Sequence, residues 1–194
     1  MIANSQQPRR VRLVLVGLTM LACAGLITAC QSASVNTTPA SGSHTGGNKS
    51  ASPANVAHIG STLDLTGNSS NEKVTVTLVR VISRAHGSDQ FTTPDHGKRF
   101  YAIQLRLHNI GSATYNDSPS NGAKVVDSTG QSYESDLSDV SHCQSFPGSE
   151  TLAPDATGLG CIVFQVAKNA HISQVQFALD SGFASDTGQW NTVR

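Results

Sequence analysis

The stretch Arg99–Asn109, RFYAIQLRLHN, decides the fold. Tyr101, Ile103, Leu105 and Leu107 point one way, and Ala102, Gln104, Arg106 and His108 point the other. Apolar residues at every second position mark a strand with one face on a core and one toward water, the arrangement of an antiparallel sheet. Asn109-Ile110-Gly111 closes the strand as a turn. The preceding run, KVTVTLVRVI from Lys73 to Ile82, repeats the pattern, with Val74, Val76 and Leu78 on one face and Thr75 and Thr77 opposite.

The same texture extends in both directions. Thr62–Leu65 alternates and stops at Gly67-Asn68. Ala113–Asp117 suits a short edge strand. Residues 123–126 and 132–137 flank a turn at Gly130, and residues 151–154 form a short extended piece ending in Pro154, which argues against a central position. Leu159–Ala167 places Cys161 and Val163 on one side and Ile162, Phe164 and Val166 on the other, and Ile172–Leu179 alternates through Val175 and Phe177. No stretch in this region has helical spacing. Seven to eight short strands over residues 58–194 predict an all-β, antiparallel β-sandwich.

Upstream the chain changes character twice. Arg9, Arg10 and Arg12 precede an apolar run that ends at Ile27-Thr28-Ala29-Cys30, the layout of a secretory signal. The run is short for a bilayer span and no basic stop-transfer cluster follows it. Ile27–Cys30 resembles a bacterial lipobox, which implies cleavage after Ala29 and acylation of Cys30; the rival is plain secretion with Cys30 free. Arg9-Arg10 invokes a twin-arginine signal, but Pro8 and Arg12 fit that pattern poorly. Cys23 sits inside the apolar run and leaves with it. Two or three acyl chains on one residue would anchor the chain to a membrane without spanning it. Residues 1–29 are therefore expected to be a lipoprotein signal peptide, and 30–57, rich in Ser, Thr, Gly and Pro, a lipidated cysteine and flexible linker.

The whole chain has 13 basic and 13 acidic residues, and the three arginines of the signal leave the remainder acidic. Without a basic stripe, nucleic-acid binding is not expected. Of four cysteines, Cys143 and Cys161 remain once the signal and the lipid have used theirs. An even pair in an oxidising compartment reads as a disulfide; a two-cysteine metal site would lack CxxC spacing.

The order of these features resembles a telokin-like, immunoglobulin-like family of bacterial lipoproteins carrying a domain of unknown function, of actinobacterial type. Gly97–Asn109 matches its central strand, Gly111 its turn glycine and Asp127–Tyr133 its D-x-x-G-x-x-Y hairpin. Cys143 and Cys161 match a cysteine pair of actinobacterial members. Asp155 departs from the pattern, standing where the family usually has the glycine of an L-x-P-G turn. The resemblance implies an immunoglobulin-like sandwich over about residues 58–180 and no assigned catalysis.

Site residues are sparse. His86, Asp89, Asp95 and His96 share one loop and offer imidazole and carboxylate ligands for zinc or copper; the alternative is a solvated polar loop. Asp117, Asp127, Asp136 and Asp139 lack the spacing of a calcium loop and suit turns. No G-x-S-x-G elbow occurs. Ser70 and Lys73 form an S-x-x-K match, but in a turn entering a strand rather than at a helix start. Trp190, Phe91, Tyr115 and Phe183 fall in expected loops, edge strand or tail and are candidate partner contacts. No cofactor is implied. The sequence therefore points to a lipid-anchored, non-enzymatic module facing the extracytoplasmic side of the cell membrane. Its partner would be a protein, glycan or envelope component; a metal or small-ligand sensor or carrier is the alternative, and a hydrolase a third.

Overall fold

The computed structural model describes residues 34–37 and 56–193. The expected signal peptide, Cys30 and most of the expected linker lie outside the described residues. The strands are β1 (Ser34–Asn36), β2 (Thr62–Thr66), β3 (Lys73–Ala85), β4 (Lys98–Asn109), β5 (Tyr115–Asp117), β6 (Ala123–Asp127), β7 (Ser132–Asp136), β8 (Glu150–Leu152), β9 (Thr157–Ala167), β10 (Ile172–Ala178) and β11 (Asp186–Asn191). Among the described residues, helical structure is limited to α1 (Pro119–Gly122) and a 3-10 turn at Asp180–Gly182.

The chain forms a β-sandwich. Its hydrogen-bonded order is β1-β11-β10-β6-β7-β9-β4-β3-β2, with β5 and β8 paired separately. β7 joins the layers, pairing Glu134 with Lys124 of β6 and Ser135 with Phe164 of β9. β2, β3, β4 and β9 form one layer, and β6, β10 and β11 face it across the core. All pairs are antiparallel except β1 with β11. Two of the eleven strands were not foreseen. β1 lies inside the expected linker, so Ser34–Asn36 belongs to the sheet edge rather than to a free tether. β11 carries Trp190 and lies in the expected tail.

The predicted core face is the observed one. Leu63, Leu65, Val74, Val76, Leu78, Tyr101, Ile103, Leu105, Leu107, Ile162, Phe164 and Val166 meet Val125, Val175, Phe177 and Trp190 across the layers. A β-bulge at Val79 keeps this possible. Strict alternation after Leu78 would aim Arg80 inward; the extra residue puts Val81 against the core instead and leaves Arg80 outside. There its guanidinium donates to Gln104 Oε1 (2.9 Å) and to the His142 carbonyl (2.8 Å).

β4 departs from the one-face expectation in its first half. Phe100 and Ala102, on the outer face, are buried with Val140, Cys143, Cys161 and Val163 in a second, smaller cluster. The segment between β7 and β8 lies over that face and is fastened to it by the Cys143–Cys161 disulfide, whose Cα atoms are 5.8 Å apart. Arg106 and His108, beyond the cover, face outward.

The N-x-G turn after β4 has a specific cause. Asn109 is buried, yet its amide nitrogen donates to the carbonyls of Ala113 (2.8 Å) and Leu152 (2.9 Å), and its Oδ1 accepts from Gly111 N (2.9 Å). A Cβ on Gly111 would stand 2.3 Å from the Asn71 carbonyl oxygen, so the turn requires glycine. Asp155 takes the left-handed conformation (φ 68°) that glycine would adopt in the related turn, a region aspartate enters more readily than most residues.

Two partner-contact candidates are corrected here. Trp190 is fully buried and its indole N–H donates to the Ser61 carbonyl (3.0 Å), tying β11 to the chain entering β2. Tyr115 is also fully buried, in a pair with Leu152, and its hydroxyl makes no hydrogen bond. Both are apolar enough to serve the core, and the sandwich has few other large aromatics to fill it.

Two stability outcomes follow. Replacing Cys143 and Cys161 by serine should cost on the order of 3 kcal/mol in urea unfolding, because an 18-residue separation is closed by the bond. Tyr115→Phe should raise stability by about 1 kcal/mol, since it removes a buried hydroxyl that lacks a partner; a loss of similar size would show that the hydroxyl is satisfied in solution.

Candidate functional site

Among the described residues no group of three or more His, Cys, Asp or Glu side chains is placed to hold a metal ion. The His86, Asp89, Asp95 and His96 set is thus not gathered into a cage, and its carboxylates are otherwise engaged. Asp89 Oδ1 accepts from Phe91 N (2.8 Å), Thr92 N (2.8 Å) and Thr92 Oγ1 (3.0 Å), which folds the loop back on itself and holds the carboxyl below the usual range. Asp95 pairs with Lys98 Nζ at 2.8 Å. His86 and His96 are exposed.

The other aspartates hold turns. Asp127 Oδ1 accepts from Thr129 Oγ1 (2.7 Å), Thr129 N (2.9 Å) and Gln131 N (3.0 Å), and its Oδ2 from Tyr133 Oη (3.0 Å). That explains the D-x-x-G-x-x-Y spacing: the carboxylate closes the turn at Gly130, where φ is 89°, and the tyrosine caps it. Asp136 accepts from Ser138 N and Gln165 Nε2, Asp139 from Ser145 Oγ, and Asp117 from Ser181. The His108–Asp155 pair (2.9 Å) sits at a turn and no serine or cysteine hydrogen-bonds to it.

The loop that carries the failed metal set does border a cleft. It has a volume of about 620 Å³ and lies where β3, β4 and β9 end side by side. Ala85 pairs with Phe100, and Lys98 with Ala167, so these three strands bring Arg84, Arg99 and Lys168 to one rim. Ala85, Pro94 and Phe100 supply apolar lining, and His86, Asp89 and Thr92 the remaining polar edge. Arg99 is fixed in place: its guanidinium donates to the carbonyls of Ser83 and Ala170 and lies 5.5 Å over the Tyr101 ring. Partial burial lowers its pKa, and the neighbouring positive Arg84 acts in the same direction. Burial pushes the Tyr101 phenol up to about 12. Arg84 and the Lys168 ammonium make no hydrogen bond or ion pair among the described residues.

Beside the cleft runs a broader trough that includes Phe91 and Leu137, which are 83% and 96% exposed. Of the four aromatic candidates, Phe91 and Phe183 reach solvent. Phe183, also largely exposed, lies at the other end of the sandwich, beside the start of β11. The cleft cations were missed from the sequence because they are scattered over three strands. The only signal was that each follows or precedes a strand end.

A family model for a domain of unknown function, DUF4352, matches residues 63–188, and the chain belongs to that family. Among solved structures, the secreted protein MPT63 of Mycobacterium tuberculosis aligns over 70% of this chain and 95% of its own, at 14% identity and a TM-score of 0.50. The Bacillus subtilis protein ycdA, provisionally assigned as a lipoprotein, aligns over 65% and 38% at 16% identity and a TM-score of 0.47. A β-sandwich protein of Clostridium difficile aligns over 70% and 91% at 11% identity and a TM-score of 0.39. The MPT63 likeness is one of fold. A search of curated proteins found no match.

The hydrogen bonds at Asp127 give a pH signature. Led by the Thr129 hydroxyl, they lower its pKa in the folded state. Its contribution to stability is therefore present above the ordinary aspartate value of about 3.9 and is lost as pH falls through the lowered value. Asp127→Asn should reduce stability at neutral pH and flatten the acid limb of a urea-midpoint-versus-pH curve; an unchanged acid limb would remove the carboxylate from that role.

Proposed function

We propose that the chain is an extracytoplasmic lipoprotein, held to the cell membrane through lipid on Cys30, whose sandwich is a non-enzymatic module that binds an envelope component. The export signal, the lipobox and the cysteine pair support this address and the kinship with actinobacterial, immunoglobulin-like lipoproteins. The observation that carries the reading is the polarity of the sandwich. Ser34, three residues beyond Gln31, opens β1 opposite Asp186, at the end where Asp186 Oδ2 accepts from Thr66 N and β2 turns into β3. An anchored chain enters there. The cleft and the exposed Phe91 and Leu137 lie at the other end, where β3 finishes and β4 begins. β4 runs 12 residues between the two ends, roughly 40 Å at strand rise. Loops at the far end of a rigid sandwich are where such folds place recognition.

Cys30→Ser should move the protein from the membrane fraction to the soluble fraction and abolish incorporation of radiolabelled palmitate. A photo-crosslinking amino acid at Phe91 in living cells should give a discrete adduct, and the same group at Phe183 should not give that adduct. Membrane retention without Cys30, or identical adducts from both ends, would end this reading.

A further inference from the structure

We propose that the cleft at the ends of β3, β4 and β9 binds a small amphiphilic oxyanion, a carboxylate or phosphate carried on an apolar body. The inference deepens the binding-module reading by naming the ligand class of its far end.

The charge arrangement comes first. Three adjacent strands each deliver one cation to a single rim, although the exported part of the chain is acidic overall. Arg84 and Arg99 are neighbouring positive groups, and no carboxylate is bonded to either. The one carboxylate of the lining, Asp89, is Oδ1-bonded to three donors of its own loop. Asp89 forms no ion pair with the three cations, and like charges held together without a bonded counter-charge are mutually destabilising; an oxyanion placed between them relieves that repulsion while accepting charge-assisted hydrogen bonds. Arg99 is pre-positioned by two backbone carbonyls, so part of the ordering cost is met before a ligand arrives. The Arg84 and Lys168 side chains are uncommitted donors among the described residues.

The remaining lining explains why charge alone is not the ligand. Ala85 and Pro94, both half-buried, give the cleft an apolar side with Phe100 buried behind it, and its volume of about 620 Å³ exceeds the need of a bare phosphate while suiting a small organic molecule. The three cations share one rim, so a ligand held there places its anionic group among them and its apolar body against Ala85 and Pro94.

The test uses the protein as recovered from cells, in zwitterionic nanodiscs if it is membrane-bound. Equilibrium dialysis measures phenyl phosphate, inorganic phosphate and phenol, with vesicles containing phosphatidic acid as the membrane-borne form of the same headgroup. Saturable phenyl phosphate binding is expected, weakening with added salt, and at least about tenfold tighter than either fragment. The paired variant Arg84→Ala with Lys168→Ala should lose about tenfold or more in affinity with an unchanged urea midpoint. Phe183→Ala should bind as the parent does. No saturable binding, an affinity unchanged in the paired variant, or equal affinity for inorganic phosphate would each overturn the proposal. Binding to the vesicles alone would overturn the small-molecule assignment. None of these results depends on whether Cys30→Ser leaves the membrane, so this site and the anchored-module reading fail separately.

Discussion

The structure depends on β4 being hydrogen-bonded along both edges. It pairs with β3 on one side and, through an unbroken register from Lys98–Ala167 to His108–Thr157, with β9 on the other. A strand so placed cannot shift by one residue without exchanging Ile103, Leu105 and Leu107 for Gln104, Arg106 and His108 in the core. Register is thus fixed by the cost of burying a guanidinium, and everything at the two ends inherits it. At one end Asn109 gathers the turns of β4, β5 and β8 through three side-chain hydrogen bonds. At the other, the same register aligns the ends of β3, β4 and β9 and so assembles the cationic rim.

Much of this was legible in the sequence because the sandwich obeys a period of two where it faces the core. Val74, Val76 and Leu78, or Ile162, Phe164 and Val166, announce their side without help from tertiary contacts. What was not legible broke that period or lacked it. The Val79 bulge reverses the sense of alternation late in β3, which no local pattern reveals. Phe100 and Ala102 are buried because a separate segment, fastened by the disulfide, lies over them. β11, with sequence DTGQWN, carries a single large apolar side chain and reads as tail until Trp190 is seen between the layers. β1 has three residues and one valine, too little to separate it from the linker.

The site was less legible than the fold for a related reason. Local clustering drew attention to His86, Asp89, Asp95 and His96, yet Asp89 is hydrogen-bonded within its own loop and Asp95 is paired with Lys98 at the start of β4. The groups that do share a cleft, Arg84, Arg99 and Lys168, are distant in sequence and adjacent only through pairing. A loop rich in potential ligands builds itself first, because its polar side chains must satisfy its own backbone before anything external.

The bonded state of each charge therefore separates structure from function in this sandwich. Asp117, Asp127, Asp136 and Asp139 all accept hydrogen bonds from turn or neighbouring residues, and Arg80 and Arg99 donate to carbonyls. Those groups hold loops, and exchanging them would alter stability before anything else. Among the described residues the Arg84 guanidinium and the Lys168 ammonium hold nothing, so the fold gives no reason for two unpaired cations beside a third. Their position beside Arg99 on the cleft rim gives one: an anion between them offsets the cost of keeping them together.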